Sequence, residues 1–243
     1  IKIGDEFDVF HPGQDVVDPE TGKVLSHTQG VQVGRCKVTS VEDEIAVATV
    51  EECHRAGKLA MIGCTTLHTR GVIRRAEFAR RIGADAIQVA LPFWLAVPPR
   101  LVVPFFKDVA RAVPGMAIQI YETTRAKRIL TLEQYRQIHA EIPAVIGIKS
   151  NLNTLGCTPA GCRALSRWFQ VFTNEKFWSR LGPCGVSGAC SAYVYLNPRL
   201  TLLGFDLLRC RRWTELWVWT DKLARISDEG LQEARAAGCE DSA

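Results

Sequence analysis

Two polar residues, Lys149 and Tyr121, are the strongest candidates for chemistry because each closes an otherwise apolar run. The runs span residues 145–149 and 116–121. A lysine at the end of a buried strand is partly desolvated, which lowers its pKa and frees the amine for Schiff-base formation. A tyrosine within hydrogen-bonding reach can then shuttle protons during carbinolamine formation and carbon–carbon cleavage. From position alone, a solvated lysine at a strand end is the alternative interpretation.

Six apolar runs alternate with longer amphipathic segments from Lys58 onward. This alternation predicts parallel strands covered by helices. The strands are expected over residues 59–64, 86–91, 116–121, 145–149, 170–173 and 186–195. A period of about 25–30 residues is typical of a (β/α)8 TIM barrel, whose active site lies at the carboxyl ends of the strands. Six strands indicate an α/β barrel that lacks its first two strands.

Three helices are expected from apolar residues that recur every three or four positions. The first set includes Val72 and Ile82, the second runs from Val102 to Val113, and the third begins after Thr131 as N-cap. Arginines lie on the outer face and flanks of the first helix: Arg70, Arg74, Arg75, Arg80 and Arg81. A solvated helix face is favoured over a phosphate or nucleic-acid site, because stacking aromatics are not interleaved with these arginines.

The first 50 residues differ from the rest in pattern and in charge. They contain nine acidic and four basic residues, a net charge of −5, which leaves +9 for residues 51–243. Alternating polarity over residues 4–10, 30–40 and 45–50, with turn signals at 11–13 and 18–22, predicts a small antiparallel β module. Residues 51–56 are expected to form a short helix or linker. The domains predicted are therefore 1–50, the β module, and 51–243, the partial barrel with C-terminal helices.

Several motifs in residues 60–212 resemble the dihydrodipicolinate synthase and N-acetylneuraminate lyase family of pyruvate-dependent class I aldolases. Residues 83–94 (GADAIQVALPFW) are similar to the fourth strand of that family. Residues 118–121 (IQIY) and 145–150 (VIGIKS) are similar to its fifth and sixth strands. Residues 185–188 (GVSG) with Asn197-Pro198 are similar to its eighth strand and the loop after it. The order and spacing of these motifs carry the resemblance.

The resemblance implies that Lys149 forms an imine with pyruvate or another 2-oxo acid and that Tyr121 relays protons. The loop Gly63–Arg70 resembles hydratase-aldolases that act on arylidene-pyruvates. Two departures follow the tyrosine: Glu122 replaces the usual Asn, and Arg125 is offset by one residue from a carboxylate-binding Arg. The residues expected to bind substrate are Thr65, Thr66, Glu122, Arg125, Gly185 and Gly188. Thr65 and Thr66, or Thr69, equally well cap the next helix.

The chemistry implied needs neither a cofactor nor a metal, because the imine itself is the electrophile. The partners expected are a small 2-oxo acid and an aldehyde, with no nucleic acid, no membrane and a homo-oligomeric assembly. The alternative function is a catalytically inactive barrel remnant or fusion protein with a binding or assembly role. The first 50 residues bear a faint resemblance to a small β module of flagellar and curli assembly proteins.

Nine cysteines bear on the compartment in which the protein works. None of their spacings is C-x-x-C, and no paired histidine motif accompanies them. Reduced thiols in a cytoplasmic protein are therefore expected. Trp213, Trp217 and Trp219 fall on a C-terminal helical stretch, where packing in the core or at a subunit contact is favoured over ligand stacking.

Overall fold

A computed structural model describes residues 6–11, 15–17, 24–27, 31–37, 44–191, 193–195 and 197–236. Contacts between residues divide the chain into two units, Ile1–Lys58 and Leu59–Ala243. Within the described part of the chain, no helix is both long enough and apolar enough to cross a lipid bilayer.

The described residues of the first unit form four short strands and one helix. Their bounds are β1 Glu6–His11, β2 Asp15–Val17, β3 Val24–His27, β4 Val31–Lys37 and α1 Glu44–Arg55. β1 pairs antiparallel with β4, and β2 pairs antiparallel with β3. The antiparallel strands predicted near residues 4–10 and 30–40 are confirmed for the described residues. Most of the predicted turn residues, 12–13 and 18–22, lie outside them.

The strand predicted over Ile45–Val50 is wrong, because these residues belong to α1. The segment contains no glycine or proline, and its apolar residues at positions 46, 50 and 53 are spaced by four and three. This spacing places the three residues on one face of a helix. The sequence pattern is therefore compatible with a helix as well as with a strand. Val50 is buried. The short helix expected at residues 51–56 is the second half of this longer one.

The second unit is built on one sheet of six parallel strands. Their bounds are β5 Met61–Gly63, β6 Ala86–Val89, β7 Ala117–Glu122, β8 Val145–Ser150, β9 Gln170–Phe172 and β10 Val186–Gly188. Neighbours in the sheet follow the chain order from β5 to β10, and every pairing is parallel. This order, with helices between the strands, is that of a partial (β/α)8 barrel, as the sequence predicts.

Seven helices accompany this sheet. Their bounds are α2 Thr69–Arg81, α3 Pro99–Ala112, α4 Leu132–Glu141, α5 Pro159–Leu165, α6 Trp178–Leu181, α7 Pro198–Arg209 and α8 Trp213–Ala236. The three helices predicted from periodicity are confirmed. In α2 the buried residues are Val72, Ala76 and Ala79. Thr131 is the N-cap of α4 in a complete capping box with Gln134, which satisfies two amides of the first turn.

The last predicted strand is shorter than expected. β10 ends at Gly188, and Tyr193–Tyr195 form a 3-10 turn instead of continuing the strand. Its partner β9 spans only Gln170–Phe172, so a longer β10 has no ladder to join. Beyond β10, Asn197 caps α7 by accepting a hydrogen bond from the Leu200 amide.

The C-terminal tryptophans divide between the core and the surface. Trp219 is buried, stacks on Trp178 with ring centroids 5.8 Å apart, and donates to the Leu200 carbonyl at 3.1 Å. Gly204 on α7 permits this packing, because a Cβ there would lie 2.3 Å from the Trp219 ring. Trp217 is 66% exposed. The expected core packing is thus seen for Trp219.

Candidate active site

Lys149 and Tyr121 lie side by side at the carboxyl ends of β8 and β7. These strands are neighbours, and the two residues are direct partners in the parallel register. The Nζ of Lys149 lies 4.2 Å from the centroid of the Tyr121 ring, and both side chains are half-buried. A cation over an aromatic face is attracted by the ring quadrupole. The strand register and the side-chain contact together place the Lys149 amine next to the Tyr121 side chain.

Asn151 fixes the orientation of the tyrosine hydroxyl. Its Nδ2 donates to the Tyr121 hydroxyl oxygen at 3.2 Å. The hydroxyl accepts this bond, so its own hydrogen is available to a substrate. Sequence reasoning did not select Asn151, although it directly follows β8. Its position just beyond the end of a strand is the only feature of the sequence that marks Asn151 as a candidate site residue.

A cavity of about 390 Å³ opens beside Tyr121, and we call it the Tyr121 cavity. Its lining residues are Gly63, Thr65, Gln88, Ala90, Leu91, Phe93, Tyr121, Thr123 and Arg125. It therefore brings together three residues predicted from sequence, Thr65, Tyr121 and Arg125. Thr123 was not predicted; its hydroxyl accepts a hydrogen bond from the Arg125 amide and starts the turn after β7.

The two adjacent threonines have different roles. Thr65 Oγ1 accepts a hydrogen bond from the Ala90 amide at 2.9 Å, which ties β5 to β6 and leaves its hydroxyl hydrogen for a ligand. Thr66 Oγ1 donates to the His68 carbonyl at 2.9 Å. His68 is the N-cap of α2, accepting from the Gly71 amide. Thr66 thus serves the turn before the helix, and Thr69 is its first residue.

Glu122 lies on the other side of β7 from Tyr121, because successive side chains of a strand alternate between faces. It is 2% exposed, and Oε1 accepts from the Leu130 amide at 2.9 Å. Oε2 has no hydrogen bond in the described residues, although the Tyr135 hydroxyl is near enough to act on the carboxyl. The structure therefore does not bring Glu122 into the Tyr121 cavity.

Burial raises the pKa of Glu122 above its ordinary value of 4.5, and the Tyr135 hydroxyl, the Leu130 amide and Thr154 act in the opposite direction. A raised pKa means that the folded state binds this proton more tightly than the unfolded state. The free energy of unfolding therefore falls as the pH rises above 4.5, because Glu122 ionises more readily in the unfolded state. The cost is complete once the pH exceeds the pKa of the folded state.

Replacing Glu122 with Gln is expected to stabilise the protein at neutral and alkaline pH. The amide oxygen still accepts from Leu130, while the charge that opposes burial is removed. Urea unfolding should show equal free energies for wild type and Glu122→Gln below pH 4.5, and a growing advantage for the variant above it. Glu77→Gln on an exposed helix face is the control. A variant less stable than wild type at high pH would contradict this assignment.

Gly185 and Gly188 occupy opposite ends of β10. Gly185 precedes the strand with a φ of 102°, and its amide donates to the Gly182 carbonyl. Gly188 ends the strand, and its carbonyl accepts from the Thr173 amide and from Trp178 Nε1. Because β10 is only three residues long, this motif spans its whole length. Only Gly188 lies at the carboxyl end, where Lys149 and Tyr121 are found.

A polar cluster lies on the same side of the sheet as Lys149. Gln88 donates to Gln119 at 2.7 Å, and the thiol of Cys190 contacts both amides. Burial raises the pKa of Cys190, while the charge of Lys149 lowers it. Glu175 is fully buried, and neither carboxylate oxygen has a hydrogen bond in the described residues. Both glutamines sit mid-strand, inside runs that are otherwise apolar in the sequence.

Among the described residues, no group of three or more His, Cys, Asp or Glu side chains is arranged to hold a metal ion. Seven cysteines between Cys53 and Cys210 in that part of the chain are free thiols. Burial raises the pKa of Cys64 to about 12 and that of Cys157 to about 11, so these thiols remain protonated near neutral pH.

The parallel strands, the helices between them and the order of the sheet define the class of (β/α)8-type barrel proteins. Lys149 and Tyr121 lie at the carboxyl ends of these strands, where the sites of such barrels are found. The chain belongs to the Dihydrodipicolinate synthetase family, whose model matches residues 23–209. The match begins inside the segment assigned from sequence to a separate β module. Nothing in the comparisons supports the likeness of that segment to flagellar and curli proteins.

Named relatives agree with this family. A trans-O-hydroxybenzylidenepyruvate hydratase-aldolase of Sphingobium xenophagum is 37% identical over 95 residues, which are 39% of this chain and 29% of that protein. A 4-hydroxy-tetrahydrodipicolinate synthase of an Acidovorax species is 23% identical over 171 residues, covering 69% of this chain and 57% of that protein. The chain thus spans less than a third of the hydratase-aldolase and just over half of the synthase.

Solved structures share the fold. PhdJ bound to a substrate intermediate superimposes with a TM-score of 0.67 at 31% identity, over 76% of this chain and 59% of PhdJ. YagE, a prophage protein of E. coli K12 in complex with pyruvate, gives a TM-score of 0.68 at 20% identity, over 76% of this chain and 63% of YagE. The second likeness concerns the fold alone.

Proposed function

We propose that the protein is a Schiff-base-forming lyase or aldolase that acts on pyruvate or a related 2-oxo acid. The observation that carries this proposal is the contact between the Lys149 amine and the Tyr121 ring at the carboxyl ends of adjacent strands. Nucleophile and proton relay are within reach of one bound molecule, as imine chemistry requires. Family membership supports the same reaction class.

In the proposed mechanism, neutral Lys149 attacks the keto carbon and forms a carbinolamine. Tyr121 delivers a proton to the departing hydroxyl, and water leaves as the protonated imine forms. Water adds across the arylidene double bond, and the Tyr121 phenolate takes the proton of the hydroxyl group so formed. The carbon–carbon bond then breaks, the aldehyde departs, and the bonding electron pair passes to the iminium to give an enamine. Protonation of the enamine carbon and hydrolysis of the imine release pyruvate and free Lys149. Asn151 holds the phenol in place throughout. No metal or organic cofactor takes part, because the iminium is the electron sink.

The substrate class proposed is an arylidene-pyruvate, which yields pyruvate and an aromatic aldehyde after hydration and cleavage. The hydratase-aldolase relative and the 31% identity to PhdJ support this class. The Tyr121 cavity supports it as well, because Leu91 and Phe93 give it an apolar side for an aromatic ring. Thr65 and Arg125 are the proposed contacts of the 2-oxo acid carboxylate.

The test is to trap the imine. Incubation of the full chain with pyruvate and borohydride should add one reduced pyruvate to Lys149, detected by mass spectrometry of the digested protein. A folded protein that carries no adduct on Lys149 would overturn the proposal. It would favour the alternative, a catalytically inactive barrel that binds or assembles, which draws its support from a sheet of six strands among the described residues.

Four further properties are proposals. A cytoplasmic location fits the free thiols of the described residues. A homo-oligomer fits the exposure of Trp94, which is 68% accessible on the loop after β6. A division into a β module at residues 1–50 and a barrel domain at 51–243 is the proposed organisation. The proposed ligands are small molecules, with no nucleic acid or membrane involved.

A further inference from the structure

Three buried thiols lie around the contact between α5 and the turn that leads into β10, and the proposed mechanism uses none of them. They belong to Cys157, Cys162 and Cys184. Cys162 is on α5, and Cys184 ends the 3-10 turn Gly182–Cys184. The thiol of Cys157 is engaged elsewhere, because its Sγ donates to the Ser150 carbonyl at 3.5 Å. The pair that remains is Cys162 with Cys184.

Ser166, the C-cap of α5, ties the backbones of these two cysteines together. Its amide donates to the Cys162 carbonyl at 2.9 Å, and its hydroxyl donates to the Cys184 carbonyl at 3.2 Å. Just after Cys184 the chain runs so close to α5 that a Cβ at Gly185 would lie 2.4 Å from the Ser166 hydroxyl oxygen. Close backbones are the first requirement of a disulfide, whose Cα atoms lie about 4.4–6.8 Å apart.

The two sulfur atoms also lie near each other. Cys184 Sγ donates to the Arg180 carbonyl at 3.7 Å, and Cys162 Sγ donates to the next carbonyl along the chain, that of Leu181, at 3.9 Å. Burial and then the charge of the Cys184 sulfur raise the pKa of Cys162 to about 12, so the thiols are within electrostatic reach of each other. A thiol is a weak donor, and rotation of each side chain toward the other therefore loses little hydrogen bonding.

Arg163 makes Cys184 the more reactive member of the pair. Its Nη1 donates to the Cys184 sulfur at 3.1 Å, and a guanidinium held against sulfur favours the thiolate, which is the nucleophilic form of cysteine. Cys184 is also the nearer of the two to solvent, because its neighbours Pro183 and Gly185 are exposed. Cys162 is fully buried.

We infer that Cys162 and Cys184 form a redox-active thiol pair that a hydroperoxide oxidises to a disulfide. The Cys184 thiolate attacks the peroxide, the O–O bond breaks, and the leaving oxygen takes a proton, which gives a sulfenic acid and an alcohol or water. The Cys162 sulfur then attacks the Cys184 sulfur, and the sulfenic hydroxyl departs as water with the Cys162 proton. The disulfide cross-links α5 to the turn before β10, and a thiol reductant reverses the step.

This pair is independent of the proposed imine chemistry. Cys184 precedes β10 at its amino end, whereas Lys149 and Tyr121 lie at the carboxyl ends of their strands. Oxidation is therefore tested without pyruvate, and its failure would leave the trapping experiment on Lys149 unaffected.

The test is to treat the full chain with hydrogen peroxide, alkylate the remaining thiols in denaturant and digest the protein for mass spectrometry. A linked peptide pair of Cys162 with Cys184 is expected, and dithiothreitol should remove it. Cys184→Ala should abolish the link, while Cys210→Ala, at an exposed thiol, should leave it unchanged. Oxidation of Cys210 in wild type without the Cys162–Cys184 link would overturn the inference, and so would a link from Cys162 to Cys157.

The rate of disulfide formation gives a second readout. Arg163→Ala should slow it by about tenfold, because the cation that favours the Cys184 thiolate is removed. The matched control is Arg167→Ala, at another exposed arginine close to the end of α5, and it should react as fast as wild type. Equal rates in Arg163→Ala and wild type would contradict the activation of Cys184 by Arg163.

Discussion

Lys149→Ala is expected to abolish pyruvate-dependent cleavage and condensation. Without the amine there is no imine and hence no electron sink, so a fall of at least about four orders of magnitude in kcat is expected. The measurement is release of aromatic aldehyde from an arylidene-pyruvate, followed by absorbance. Retained turnover in the variant would rule out an imine on Lys149.

Two companion variants separate chemistry from folding. Lys149→Arg keeps a cation over the Tyr121 ring, but a guanidinium cannot lose its proton and act as a nucleophile. It should unfold at the same temperature as wild type and form no pyruvate adduct. Lys222→Ala removes an exposed lysine of α8 and should keep full activity.

Tyr121→Phe is expected to lower kcat by about 10²- to 10⁴-fold, the usual contribution of a positioned proton donor. The ring that underlies the Lys149 amine is retained, so the change removes only the hydroxyl. Pyruvate should still be trapped on Lys149 after long incubation, because the amine remains.

The control for this variant is Tyr195→Phe, at a hydroxyl whose residue is 88% exposed. It should leave turnover unchanged. Full activity in Tyr121→Phe would mean that a group other than Tyr121 relays the proton. The buried carboxyl of Glu175 would then be the next residue to replace, since it is electrostatically linked to Cys190, as Lys149 is.

Much of the barrel could be predicted because burial imposes a regular period on the sequence. Val72, Ala76 and Ala79 mark the inner face of α2, and the capping box of Thr131 marks where α4 begins. Lys149 and Tyr121 could be found for a related reason. Each is a polar residue that ends an apolar strand, and parallel neighbours bring such ends together.

Other features depend on information that periodicity does not contain. Glu122 follows Tyr121 directly, yet strand alternation sends its carboxyl to the opposite face, toward Leu130. Gly185 belongs to the same motif as Gly188, but Gly185 precedes β10 at its amino end and Gly188 ends it at its carboxyl end. Asn151 is recognised as part of the site only from its hydrogen bond to Tyr121, which lies thirty positions away in the sequence.

The place of β7 and β8 at the middle of the six-stranded sheet has a consequence for local dynamics. Each is flanked on both sides by another strand, whereas β5 and β10 have one neighbour each among the described strands. Backbone amides at a sheet edge exchange with solvent through small local openings, while central ones require larger unfolding. Deuterium should therefore enter β5 and β10 first and β7 and β8 last. The pairing of β7 with β8, which aligns Tyr121 with Lys149, would then persist while the edge strands β5 and β10 open locally.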